Sequence, residues 1–203
     1  METLTKVSID DVLFWMDAIR NSNDKFRVLE SFWKGQIKSK LWLINELANI
    51  LEKNIFYNIV IHGGWNGVLS SLLFNSSIKI SKIESIDIDP KCEDIAYTIN
   101  KFYEIEGKFI AKTCNMVDHV YDTDVVINTS CEHIDQSTYE KWLFNVPPNA
   151  LIVLQSNNYF DLDEHIRCSN SLDEFNDISN LNLLYKGIFK TEKYDRYMLI
   201  GYK

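Results

Sequence analysis

The sequence predicts an α/β protein: a doubly wound, mostly parallel seven-stranded sheet with an antiparallel C-terminal hairpin and a helical N-terminal extension. Three observations predict it. From Tyr57 onward, short β-branched runs alternate with helical stretches, the pattern of repeated βα units. The middle runs Val-Val-Ile-Asn (125–128) and Leu-Ile-Val-Leu-Gln (151–155) are apolar on both faces, as strands covered by helices on both sides must be. The last two runs are joined only by the short polar segment Thr191-Glu192-Lys193-Tyr194, and so short a link forces an antiparallel pair.

The elements follow in order. Residues 1–55 read as a helical extension and 56–203 as the α/β domain. Ser8 and Asp11 have capping-box spacing, and Val12, Leu13, Trp15, Met16 and Ile19 form an apolar stripe behind them. Phe26, Leu29, Phe32 and Trp33 form a second stripe, which Gly35 is expected to break. Ile37, Leu41, Ile44, Leu47, Ala48 and Leu51 form a third. The strands are read at Tyr57–His62, Ile83–Ile88, Lys108–Thr113, Asp124–Asn128, Ala150–Gln155, Leu181–Lys190 and Asp195–Tyr202. Asp89-Pro90 is expected to cap the helix carrying Ile95, Ala96, Ile99 and Phe102 on one face. Ser137 with Glu140, and Ser171 with Glu174, have the spacing of two further capping boxes.

Composition narrows the function classes. The chain has 203 residues, 46% hydrophobic and 25% charged, which excludes disordered, collagen-like and coiled-coil classes. Its net charge of −8 disfavours a large nucleic-acid partner. The four cysteines form no CxxC pair, so they read as reduced thiols rather than a zinc knuckle or a redox motif. The N-terminus lacks a signal-peptide apolar region, and no apolar run reaches membrane-span length, so a soluble, cytoplasmic protein is expected. His62, His119, His133 and His165 show no metal-ligand spacing, so no metal is expected. The oligomeric state is not readable from the sequence.

Four segments carry candidate chemistry. Ile61-His62-Gly63-Gly64-Trp65-Asn66-Gly67-Val68 is a strand, a glycine-rich turn and a helix starting near Val68; such a turn lets a ligand approach the backbone. About 20 residues on, Ser85-Ile86-Asp87-Ile88-Asp89-Pro90 ends the next strand, where nucleoside-binding folds place a carboxylate on ribose hydroxyls. Asp89 has the cap to make, whereas Asp87 has no evident structural duty, so Asp87 is the ribose candidate. The third segment, Asn128-Thr129-Ser130-Cys131-Glu132-His133, leaves a buried strand at its carboxyl end, where Glu132 or His133 could do acid–base or orienting work. The fourth, Gln155-Ser156-Asn157-Asn158-Tyr159, offers two amides and a phenol to a polar substrate.

From about Asn58 to the C-terminus, this order of segments resembles the class I S-adenosylmethionine-dependent methyltransferases, which have a Rossmann-like fold. The glycine turn follows the first strand, "SIDIDP" is similar to the family's ribose-binding segment, and the ending of "DVVINTSCEHI" resembles its "LEHI"-type segment. The resemblance implies S-adenosylmethionine as cofactor, held by Gly63, Gly64, Trp65 and Gly67, by Asp87, by Asn115 and Met116 near the adenine, and by Asn128. It also implies a helical lead-in that covers the site; Trp15, Trp33 or Trp42 could then line a substrate pocket, though they read more readily as core. The sequence departs from the family pattern at three places. Trp65 stands for the middle glycine, Ile61 for the usual acid, and Asn115 for the acid after the third strand.

The expected reaction is methyl transfer to a small polar amine or hydroxyl compound. The acceptor is expected between Glu132-His133 and Asn157-Asn158-Tyr159, with His133 as base. A catalytically inactive nucleoside- or partner-binding member of the fold is the alternative, motivated by Trp65. A nicotinamide-dependent Rossmann enzyme is a third, disfavoured by the missing third glycine.

Overall fold

The computed structural model describes residues 7–203; residues 1–6, the start of the N-terminal extension, lie outside the described residues. Three helices lead in: α1 (Ile9–Asn21), α2 (Lys25–Ser31) and α3 (Lys34–Ile50). The α/β part follows as β1 (Tyr57–His62), α4 (Val68–Phe74), β2 (Ile80–Asp87), α5 (Glu93–Ile99), α6 (Lys101–Ile105), β3 (Phe109–Thr113), β4 (Val125–Asn128), α7 (Gln136–Asn145), β5 (Leu151–Asn157), α8 (Leu172–Ser179), β6 (Asn182–Lys190) and β7 (Asp195–Tyr202). The strands form one seven-stranded sheet in the order β3-β2-β1-β4-β5-β7-β6. Strands β1 to β5 run parallel, and β7 is antiparallel to both β5 and β6. The fold class expected from the sequence is the one found.

The two-sided strands divide their side chains between two cores. Along β4, Val125 and Ile127 face one apolar cluster and Val126 the other. Along β5, Leu151 and Val153 face the first, and Ile152 and Leu154 the second. This alternation is what the two-residue period of a strand does when both faces are covered. The first cluster takes Leu43, Ile44 and Leu47 from α3; the second takes Tyr139 and Trp142 from α7 and Phe175 from α8. Chain order reverses between β1 and β4, so a crevice opens outside their carboxyl ends.

Several local expectations are corrected. In α1, Val12, Leu13 and Met16 point outward, while Asp11 and Ala18 are buried and Trp15 and Ile19 pack inward. Trp15 anchors that inner face, its Nε1–H donating to Ser71 Oγ at 3.1 Å. In α2, Phe26 and Leu29 are exposed and Val28 takes the core side; just past its end Phe32 packs inward and Trp33 is exposed. Both helices carry apolar residues around more than one face, so spacing alone does not select the buried one. Gly35 lies inside the first turn of α3, and the break falls earlier, at Phe32-Trp33. Helix α5 begins at Glu93, not at Pro90; Asp89 instead accepts from the Lys91 N–H and pairs with Arg27 at 2.5 Å. Phe102 falls in the separate short helix α6 and is exposed. Helix α7 is capped by Asp135, which accepts from the Thr138 N–H, two residues before Ser137. The Ser8–Asp11 box forms, and Ser171 caps α8. Among the described residues, no helix is long and apolar enough to cross a membrane.

Candidate active site

The turn after β1 is built to bring backbone close to whatever fills the crevice. Gly63 (φ 61°), Trp65 (φ 48°) and Gly67 (φ 75°) all adopt left-handed conformations. Glycine does so without strain, and Trp65 does so against the usual preference of a residue with a Cβ. The turn is tied down from three sides. Gly64 N–H donates to Ile86 O at 3.0 Å, Gly67 N–H donates to Gly64 O at 3.0 Å, and Asn100 Nδ2 donates to Gly67 O at 3.0 Å.

Asp87, at the tip of β2, does have a structural duty, contrary to expectation. Its Oδ2 accepts the Trp65 N–H at 2.8 Å, and its Oδ1 accepts the Asp89 N–H at 3.0 Å. Each carboxylate oxygen keeps further acceptor capacity toward the crevice.

The crevice is a cavity of about 800 Å³. Gly63, Gly64, Trp65 and Asp87 form one wall, Asn115, Met116 and Asn128 the next, and Glu132 and His133 another. Gly67 does not line it; it serves the turn's path. Asn115 Oδ1 accepts the Val117 N–H at 3.2 Å and caps the 3-10 turn Met116–Asp118, the whole of the link between β3 and β4 apart from coil. Asn128 is fully buried at the end of β4, its Oδ1 accepting the Ser130 N–H at 2.9 Å.

Glu132 is committed to the framework rather than free for proton transfer. Its Oε1 accepts from Asn157 Nδ2 at 2.7 Å and from Arg196 Nη1 at 3.0 Å. Arg196 also donates to Thr129 O, so β7 clamps the segment after β4. The other oxygen, Glu132 Oε2, is buried without a hydrogen-bond partner among the described residues. His133 is exposed in the 3-10 turn Cys131–His133, with its Nδ1 3.2 Å from Glu164 O.

The three residues expected to meet the substrate from the β5 end stand behind the wall. Strand β5 runs two residues beyond the expected Gln155, so Asn157 pairs in register with Arg196 and its side chain turns onto Glu132 and the Tyr159 N–H. Asn158 Oδ1 accepts the Asp195 N–H at 2.7 Å, joining β5 to β7. Tyr159 packs against Tyr194 and His165, with ring centroids 5.5 and 5.9 Å apart. In their place Leu162, Glu164 and His165 line the cavity from the loop that follows.

The lead-in helices contribute cations instead of tryptophans. Arg27 of α2 and Lys40 of α3 line the cavity. Lys40 is buried with its Nζ donating to Gln36 Oε1 at 2.8 Å. Burial, reinforced by the charge of Arg196, lowers its ammonium pKa to about 7. Trp15 packs in the core, Trp33 is exposed, and Trp42 donates to Tyr185 Oη at 3.2 Å and stacks on Phe189. Sequence reasoning missed Arg27, Lys40, Arg196 and His165. Only His165 left a signal: the tripeptide Glu-His-Ile of 132–134 recurs at 164–166.

No protein-family model and no curated protein matches the sequence. Solved structures do match the fold. The magnesium protoporphyrin IX methyltransferase ChlM from Synechocystis PCC 6803, with bound SAH, superposes with a TM-score of 0.67 at 13% identity, covering 96% of this chain and 99% of that one. The N-methyltransferase NodS from Bradyrhizobium japonicum WM9 gives 0.61 at 11% identity, over 80% of this chain and 94% of that one. The mitomycin 7-O-methyltransferase MmcR gives 0.62 at 15% identity, over 94% and 60%. With the sheet order, the antiparallel terminal strand and the glycine turn beside an acidic strand tip, this chain has the fold of the class I S-adenosylmethionine-dependent methyltransferases.

Proposed function

We propose that this chain is an S-adenosylmethionine-dependent methyltransferase with a small polar acceptor. The observation that carries the reading is the Asp87 carboxylate, held on the cavity wall by the turn it faces. Its spare acceptor capacity suits two ribose hydroxyls. Asn115 and Met116, on the adjoining wall, suit an adenine. Arg27 and Lys40 offer positive charge to an amino-acid carboxylate. A volume of about 800 Å³ suits one nucleoside-sized ligand together with a small acceptor.

When bound, the cofactor supplies an electrophilic methyl group on a sulfonium. The chain's own part is positioning and exclusion of water, which suffices for much of the rate of a displacement between two aligned groups. Glu132 supports this by locking Asn157 and Arg196, so that the segments after β4 and β5 hold one shape. A net charge of −8 argues for a neutral or cationic acceptor over a polyanion. The inactive alternative rests on Trp65. Its left-handed backbone, the conformation a glycine would take, keeps the turn on its path and favours a working site.

Isothermal titration calorimetry with S-adenosylhomocysteine tests the reading. Binding in the low micromolar range, about −8 kcal/mol, is expected. Absence of heat with that ligand, or preferential binding of a nicotinamide dinucleotide, would overturn it.

A further inference from the structure

We propose that Glu132, His133 and His165 bind a divalent transition-metal ion on the wall of the cavity. This goes beyond the methyltransferase reading; only the role given to the ion below rests on that reading. The three residues come from two separate segments, the turn after β4 and the loop after β5. One donor atom from each lies within 4.8 Å of the others. An ion with bonds of about 2.0–2.2 Å needs its donors about 3–3.5 Å apart, within reach of small side-chain rotations.

Each donor is already oriented from behind. His133 Nδ1 lies 3.2 Å from Glu164 O, and His165 Nδ1 lies 2.6 Å from Tyr159 O. A carbonyl oxygen only accepts, so each Nδ1 carries the proton and each Nε2 keeps its lone pair. A backbone carbonyl fixing the tautomer is how histidine ligands are commonly held. The two rings meet edge to face with centroids 4.7 Å apart. The carboxylate is oriented likewise. Oε1 of Glu132 takes the bonds from Asn157 and Arg196, and Oε2 stays buried and unpartnered among the described residues. A buried carboxylate oxygen without a partner is costly, and a cation beside two imidazole lone pairs removes that cost.

The neighbouring Cys168 does not join the set. Its Sγ lies against Asn157 Oδ1 and Tyr159 O, and it meets His165 at Nδ1, 3.8 Å away, rather than at Nε2. Two imidazoles and one carboxylate suit manganese, iron(II), cobalt or zinc better than magnesium or calcium, which prefer oxygen ligands alone. All three residues line the cavity, so the ion's remaining positions face the acceptor. An acceptor hydroxyl bound there loses its proton to solvent more readily. Its oxygen then takes the methyl group: a C–O bond forms, the C–S bond of the sulfonium breaks, and a neutral thioether leaves. The acceptor class narrows to hydroxyl compounds, and the lone pair of His133 serves the ion instead of a proton.

The test uses the full untagged chain after chelator treatment, titrated with Co²⁺ and followed by visible absorption and calorimetry. One Co²⁺ per chain is expected, with affinity falling at least about tenfold in His133→Ala and in His165→Ala. Both side chains lie outside the core, and circular dichroism checks that the variants fold. His119→Gln, at a histidine outside the cluster, should bind Co²⁺ as the wild type does. No saturable binding, or equal losses in all three variants, would overturn the site. S-adenosylhomocysteine titrations on the same proteins separate the two readings. Cobalt binding without nucleoside binding would leave the metal site and remove the methyltransferase; nucleoside binding without cobalt binding would do the reverse.

Discussion

The backbone N–H of Trp65 donates to Asp87 Oδ2 at 2.8 Å, so the turn after β1 and the tip of β2 are one unit. The carboxylate that suits ribose hydroxyls is also the group that holds the turn. Damage to one therefore spreads to the other.

Asp87→Ala should raise the Kd for S-adenosylhomocysteine by at least about tenfold and also lower stability, because each hydrogen bond to a carboxylate contributes about 1.5–3 kcal/mol. Asp89→Ala removes a partly exposed ion pair with Arg27, worth about 0–1 kcal/mol, and should leave the Kd within a few-fold. Calorimetry with urea melts on both variants checks this. Equal losses of affinity would show that Asp89 shares the ribose contact.

Trp65 sits at φ 48°, where a residue with a Cβ costs about 1–2 kcal/mol. Trp65→Gly and Trp65→Val remove the same indole, but only the first relieves the backbone. Trp65→Gly should be the more stable of the two by about 1–2 kcal/mol in urea unfolding. Equal stabilities would mean that the turn relaxes on substitution.

Two glycines separate backbone strain from crowding. Gly107 has φ 72° and open space where a Cβ would go, so Gly107→Ala should cost about 1–2 kcal/mol from conformation alone. Gly67 has φ 75°, and its Cβ would stand 2.7 Å from Asn100 Nδ2 and 2.9 Å from Ala96 Cβ. Gly67→Ala should cost about 1–3 kcal/mol more than Gly107→Ala, since the clash is with a packed helix. Denaturant midpoints of the pair give the difference directly.

How much of this was legible in the sequence depended on what bounds each feature. Strand β1 and strand β7 fall at their expected residues because glycine or polar turn residues punctuate them. The place of Asp87 at the tip of β2 was legible because it follows the glycine turn at a spacing set by one βα unit; its bond to the Trp65 N–H was not. The buried faces of α1 and α2 were not, because apolar residues surround those helices and packing made the choice, of α1 against α5 and of α2 against α1 and α3. Asn157 was misplaced because β5 continues for two polar residues, Ser156 and Asn157, that pair with Tyr197 and Arg196. His165 was missed because its loop has no period, and only the fold brings it to Glu132.

Lys40 gives the pH prediction. In the folded protein its pKa is lowered to about 7 from its ordinary 10.5, chiefly by burial and then by the charge of Arg196. Below pH 7 the folded and unfolded chains both carry the proton, and the full desolvation cost opposes folding. Between about 7 and 10.5 the unfolded chain holds a proton that the folded chain lacks. Stability from this group therefore rises with pH across that window, by at most about 1.4 kcal/mol per unit. Lys40→Met keeps the apolar stem and removes the ammonium, so it should raise stability at pH 6.5 by clearly more than at pH 9.5. The same variant should weaken S-adenosylhomocysteine, because the cavity loses a cation. Urea melts of wild type and Lys40→Met at the two pH values, with calorimetry at pH 7, check both effects. A stability gain independent of pH would mean that Lys40 stays charged in the folded chain and is satisfied by Gln36, whose Oε1 lies 2.8 Å from its Nζ.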